Sequence, residues 1–102
     1  MRRLQFTARA RRNFREISDF LSDESGSEDV AESFLSQLVE RCRNIATLPG
    51  TLGSDRSDLL PGVRSTPHKG YVIFLRYQDD VVEIVGVLHG NRDIRGYFAD
   101  DQ

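Results

Sequence analysis

Arg64, Arg76, His89, Arg92 and Tyr97 are the polar residues of the second half of the chain whose types suit work on a charged substrate. Guanidinium groups neutralise the charge that gathers on a phosphorane, and a histidine or tyrosine moves the proton. Set around one concave sheet face, the five would equip a metal-free ribonuclease. Three of them also have a plainer use. Arg76 can pair with Glu83 or Asp79 across a hairpin, and Arg92 with Asp93 or Asp80. His89 precedes Gly90, where a hydrogen bond to the following turn would occupy it. Spacing alone does not separate these uses. His68, beside Lys69-Gly70, reads as a solvated loop residue. Cys42 falls on an apolar helical stripe and reads as a core thiol, not a nucleophile. Two isolated histidines without clustered cysteines or carboxylates do not suggest a metal site. No Gly-rich phosphate loop, nucleophile elbow or zinc-binding spacing is present, so no cofactor is expected.

The elements that must position these residues follow from periodicity. Residues 71–77 and 81–88 are apolar runs rich in Val, Ile, Phe and Tyr, split by Gln78-Asp79-Asp80. A shorter run, Val63-Arg64-Ser65-Thr66, follows the Pro61-Gly62 turn and stops at Pro67. This predicts three antiparallel strands with a tight hairpin. Upstream, Leu4 and Phe6 alternate with polar residues as a short half-buried strand. Ala10, Phe14, Ile17 and Leu21 then recur at helical spacing behind Thr7, a fitting N-cap. The string Asp23-Glu24-Ser25-Gly26-Ser27 breaks that helix. Ser27 with Glu28 and Asp29 opens a second, whose stripe is Ala31, Phe34, Leu35, Leu38, Cys42 and Ile45. It stops at Pro49-Gly50.

The expected fold class is therefore α+β: a short N-terminal strand, an antiparallel helical hairpin, then a three-stranded antiparallel meander forming one small sheet. Residues 1–102 make a single domain. Residues 52–60 form a polar connector, either a long loop or a short helical turn. The tail over 95–102 lacks periodicity, and both an extra turn of helix and a mobile end stay open.

Strict alternation gives both long strands two apolar faces. Tyr71, Ile73, Leu75 and Tyr77 oppose Val72, Phe74 and Arg76, while Val82, Ile84 and Leu88 oppose Val81, Val85 and Val87. Two helices can cover only one face. An exposed apolar surface including Val72, Phe74, Val85 and Val87 is expected on the other, where a partner would cover it.

Composition narrows the function classes. With 102 residues, 38% hydrophobic and 29% charged, the chain is an ordinary globular domain, with no apolar run of membrane-spanning length. The N-terminus carries charge in place of a signal sequence, and a single cysteine fits a reducing cytoplasm. The net charge of −2 hides segregation: residues 1–15 hold six arginines and no acid, and residues 16–32 hold seven acids and no base. An acidic total argues against direct DNA binding by the chain alone. Arg9, Arg11, Arg12 and Arg15 mostly point away from the first helix's stripe, as a solvated face or as a docking surface for acidic side chains.

The order strand–helix–helix–three strands, with PGVRSTPHKGYVIFLRY, an Asp-Asp hairpin and VEIVGVLHGNRDI, resembles the ParE branch of the RelE/ParE toxin superfamily. The likeness runs from Phe6 to Ile94 and is most specific over 60–64, 71–77 and 87–94. It implies the toxin of a type II toxin–antitoxin system, in hetero-oligomeric complex with a ParD-like antitoxin. The antitoxin contacts then expected are Arg11, Arg15, Val72, Phe74, Val85 and Val87. ParE-like members are regarded as non-enzymatic poisons of DNA gyrase, for which Arg64, Arg76, His89 and Arg92 are the candidate target contacts. RelE-like members are ribosome-dependent mRNA endonucleases and generally very basic. On that alternative, Arg64, Arg76, His89 and Tyr97 would be catalytic. The single lysine and acidic balance favour the ParE side. A degenerate toxin that keeps only antitoxin binding is the third option.

Overall fold

Thr7 and Ser27 set the helical hairpin. The computed structural model describes residues 1–100. After β1 (Arg3–Phe6), the Thr7 hydroxyl accepts a hydrogen bond from the Ala10 amide at 3.0 Å and opens α1 (Ala8–Ser25). That helix ends at Gly26, whose φ of 70° places it in the left-handed region that glycine enters without a Cβ clash. Ser27 accepts from the Val30 amide and opens α2 (Glu28–Thr47), with Glu28 and Asp29 in its positive first turn. The expected caps, break and helical stripes are all present.

The expected meander is the centre of a larger sheet. β3 (Val63–His68), β4 (Tyr71–Gln78) and β5 (Val81–His89) are antiparallel neighbours. Their turns place Lys69, Gly70 and Asp79 at positive φ, as two-residue hairpins require. A five-stranded mixed sheet in the order β1-β5-β4-β3-β2 replaces the expected three-stranded one. β1 lies parallel to β5, placing Leu4 opposite Val82 and Phe6 opposite Ile84. The helical hairpin is the crossover that such a parallel pair needs. β2 (Ser54–Asp55) arises inside the polar connector and pairs with Ser65 and Arg64. Two residues are too few to show alternation, so it left no periodic trace. Gly53 permits the approach: a Cβ there would lie 2.7 Å from the Ser65 carbonyl oxygen.

A bulge shifts the faces of β5. Phe74 pairs with Gly86 but Leu75 pairs with Ile84, so Val85 is an extra residue in that strand. Beyond it the alternation slips by one. Val82, Ile84 and Val87 face the helical hairpin, with Ile73, Leu75, Leu38 and Ile45 in the larger core. Val85 and Leu88 face the other way, with Phe74 and Val63. Val87 and Leu88 thus exchange the faces that strict alternation assigned.

The second face is covered, which corrects the expected exposed patch. α3 (Ile94–Asp100) lies over it and buries Phe98, whose ring meets Phe74 edge-to-face at 5.0 Å between centroids. Phe74 and Val85 are buried beneath this cover, Val87 is buried under the hairpin, and Val72 is half-buried. The Gly96 amide donates to Asp93 Oδ1 at 3.1 Å, a local cap for this short helix. The tail over 95–100 is thus helical; the same expectation for residues 101 and 102 falls outside the described residues.

Candidate functional site

Sheet register divides the residues singled out from the sequence. Directly paired residues share a face. Arg64 pairs with Leu75, on the hairpin side, whereas Arg76 pairs with Val63 and Glu83, on the α3 side. The two arginines therefore stand on opposite faces and cannot close on one phosphate. Each has structural work. Arg64 donates from Nε to the Leu52 carbonyl at 3.0 Å and from Nη2 to the Gly53 carbonyl at 2.6 Å, tying down the connector. Arg76 Nη2 reaches Glu83 Oε1 at 2.7 Å across the β4–β5 pair, the plainer use foreseen for it.

His89 and Arg92 do come together, in the lining of a cleft of about 310 Å³ between α1 and the end of β5. Ile17, Val87 and Leu88 also line it, with Asn13, Glu16, Phe20 and Tyr71. Phe20 is 54% exposed, unusual for so large an apolar side chain. His89 Nδ1 accepts from the Asn91 amide at 3.1 Å, so the neutral ring carries its proton on Nε2. The Tyr71 ring packs edge-on against it at 5.2 Å, and burial pushes the Tyr71 hydroxyl above its usual range. The Arg92 guanidinium lies 4.6 Å from the centre of the Tyr97 ring, in place of the acid partner that was considered.

Asn13 holds this region together, and sequence reasoning passed over it. Buried at 1% exposure, it accepts from the Val87 amide at 3.0 Å and donates to the Tyr97 hydroxyl at 2.9 Å. It joins α1, β5 and α3 in one contact set. The available signal was its position three residues after Ala10 and four before Ile17, on the apolar stripe. Tyr97 is thereby a partner of Asn13, lying beside Arg92 and on a different element from Arg64 and Arg76.

The remaining candidates are placed as follows. His68 is half-buried, and its ring stands 6.2 Å from Phe34; it is not the solvated residue expected. Burial, with Lys69 and Arg41 adding to it, holds its imidazole below the usual range. Burial pushes the Cys42 thiol up to about 12, which suppresses the thiolate a nucleophile needs. Arg11 and Arg15 are exposed on α1, with Arg11 Nη1 donating to the Phe6 carbonyl at 2.9 Å. Among the described residues no cluster of three or more His, Cys, Asp or Glu could hold a metal ion. No described helix is long and apolar enough to cross a membrane.

The sequence matches, over residues 4–94, the family described as the ParE toxin of the type II toxin–antitoxin system parDE. The chain belongs to the ParE toxin family. Its fold is also that of two solved relatives. One, from a chromosomal ParDE toxin–antitoxin system of P. aeruginosa, superposes with a TM-score of 0.73 at 20% identity, covering 87% of this chain and 96% of that one. The other, from the RelBE2 toxin–antitoxin complex of Mycobacterium tuberculosis, gives 0.58 at 22% identity, covering 86% and 96%. No curated protein matches the sequence. For a ParE-family chain, the layout leaves two candidate surfaces: the His89–Arg92 cleft and the exposed arginines of α1.

Proposed function

We propose that this ParE-family toxin acts by binding DNA gyrase, with no bond-breaking step of its own, and is silenced by a ParD-like antitoxin. The observation that carries the reading is the separation of Arg64 from Arg76. Standing on opposite faces and bonded to the connector carbonyls and to Glu83, they leave no joint guanidinium clamp for a scissile phosphate. Of the four target contacts considered, His89 and Arg92 are those available to a partner, with Phe20 as an apolar anchor beside them. Arg11, Arg15 and the half-buried Val72 are the antitoxin contacts retained.

Expression of the toxin without antitoxin, followed by primer-extension mapping of translated messages, separates this reading from the ribonuclease alternative. Growth arrest with intact transcripts is expected. Codon-specific cleavage that disappears in Arg76→Ala would replace this proposal with a ribosome-dependent nuclease.

A further inference from the structure

Charge and apolar surface are so arranged in the His89–Arg92 cleft that they select the kind of group it can receive. Among the described residues that line it, Arg92 is the only guanidinium and Glu16 the only carboxylate. The Arg92 side chain is exposed and rests on the Tyr97 ring, which steadies it without cancelling its charge. Among the described residues no carboxylate lies within ion-pair distance of it, whereas Arg3, Arg43, Arg56, Arg76 and Arg95 each have one.

The cation is also held ready. Tyr97 donates no freedom to it, because its hydroxyl is fixed by Asn13 at 2.9 Å. The Arg92 amide donates to the His89 carbonyl at 3.0 Å, which ties the two residues into one turn. With Nδ1 taken by the Asn91 amide, the His89 ring offers its Nε2 proton as a second donor. Preorganised donors of this kind lose little freedom when an acceptor arrives. Beside them lies apolar surface. Phe20 is the most exposed large apolar side chain after Met1 among the described residues, and it lines the cleft with Ile17 and Leu88.

We infer that this cleft seats a short peptide segment of the gyrase protein, not its DNA. An apolar side chain of that segment packs on Phe20 and Ile17, and a neighbouring aspartate or glutamate meets Arg92 and His89. This rests on the reading of the chain as a gyrase-binding toxin. A nucleic-acid backbone fits the cleft poorly. Phosphates call for several cations along a track, whereas a single guanidinium stands here, with the Glu16 carboxylate in the same lining to repel them. A volume of about 310 Å³ is at the small end of ligand pockets and suits one or two side chains.

The test is calorimetric titration of gyrase holoenzyme, free of DNA, with the purified toxin and its variants. Arg92→Gln is expected to weaken binding about 10-fold and Arg92→Glu about 100-fold, as for charges that pair across an interface. Phe20→Ser should cost about 10-fold through loss of the apolar anchor. Arg43→Gln, on the exposed side of α2, should stay within about twofold, since its partner is the exposed Glu40. Phe20 and Arg92 are both exposed, and unchanged thermal melts of their variants would confirm intact folding. Wild-type affinity in either Arg92→Glu or Phe20→Ser would overturn the inference while leaving the gyrase reading in place. Binding that requires DNA on the gyrase and weakens in Arg92→Gln would give the site to a phosphate backbone, and the inference would fall. Failure of the wild-type toxin to bind gyrase with or without DNA would overturn both.

Discussion

The two faces of the sheet are covered very differently. One carries a hairpin of 18- and 20-residue helices, whose stripes close a core with Leu38, Ile45, Ile73 and Leu75 fully buried. The other carries one seven-residue helix, held chiefly by Phe98 on Phe74 and by the hydroxyl of Tyr97 on Asn13. The larger core supplies most of the stability. The smaller one is a light cover. The two faces thus differ in how firmly they are closed, and the His89–Arg92 cleft is lined by Ile17, Tyr71 and Val87 of the larger core.

Truncation of the two cores tests this asymmetry first. Leu38→Ala, at a position with no exposure, should cost about 4 kcal/mol in denaturant unfolding. Phe98→Ala should cost only about 2 kcal/mol, less than a typical buried aromatic, because α3 can lift without opening the main core. Amide exchange should then rise in α3 alone. If Phe98→Ala cost more than Leu38→Ala, the smaller face would be the principal one and the comparison would be reversed.

Asn13 spans both faces and sharpens the contrast. Asn13→Ala should lose about 1.5 kcal/mol, because the Val87 amide is left without its acceptor. The exchange of α3 amides should increase more than that of α2 amides. Equal increases in both helices would show that Asn13 does not link the cover to the core.

Cys42 reports on the larger core through pH. Its folded pKa is raised from 9.0 to about 12, so the protonated thiol contributes stability that is complete below 9.0 and lost as pH rises towards 12. About 1 kcal/mol should disappear over the first unit above 9.0. The thiol should also resist alkylation until the protein unfolds. Rapid alkylation of the native protein would show that this core opens readily.

The smallest effect belongs to the Arg76–Glu83 pair. Both side chains are partly exposed, at 31% and 23%, so Glu83→Gln should cost only about 0.5 kcal/mol, less at high salt. A cost of several kcal/mol would mean that the pair is effectively buried.

What the sequence made legible follows from how each element signals itself. The two helices have repeated stripes and side-chain caps, and the long strands have unbroken β-branched and aromatic runs. β2 is too short to alternate. The bulge at Val85 is a register event set by the partner strand, so counting along β5 alone misplaced Val87 and Leu88. α3 did leave a trace, in Asp93 as cap and Ile94, Tyr97 and Phe98 at helical spacing, but over a single turn or two it resembles an irregular tail. Missing α3 produced the expectation that Phe74 and Val85 would be exposed. The site suffered for a related reason. Arg64 and Arg76 look alike in sequence, and only the register that pairs one with Leu75 and the other with Val63 parts them.

The most direct test incubates purified toxin with DNA gyrase, relaxed plasmid and ATP, with and without excess antitoxin. The account predicts blocked supercoiling or accumulated linear DNA, reversed by antitoxin and unaltered in Arg64→Gln provided that variant folds. Unimpaired supercoiling at saturating toxin would contradict it.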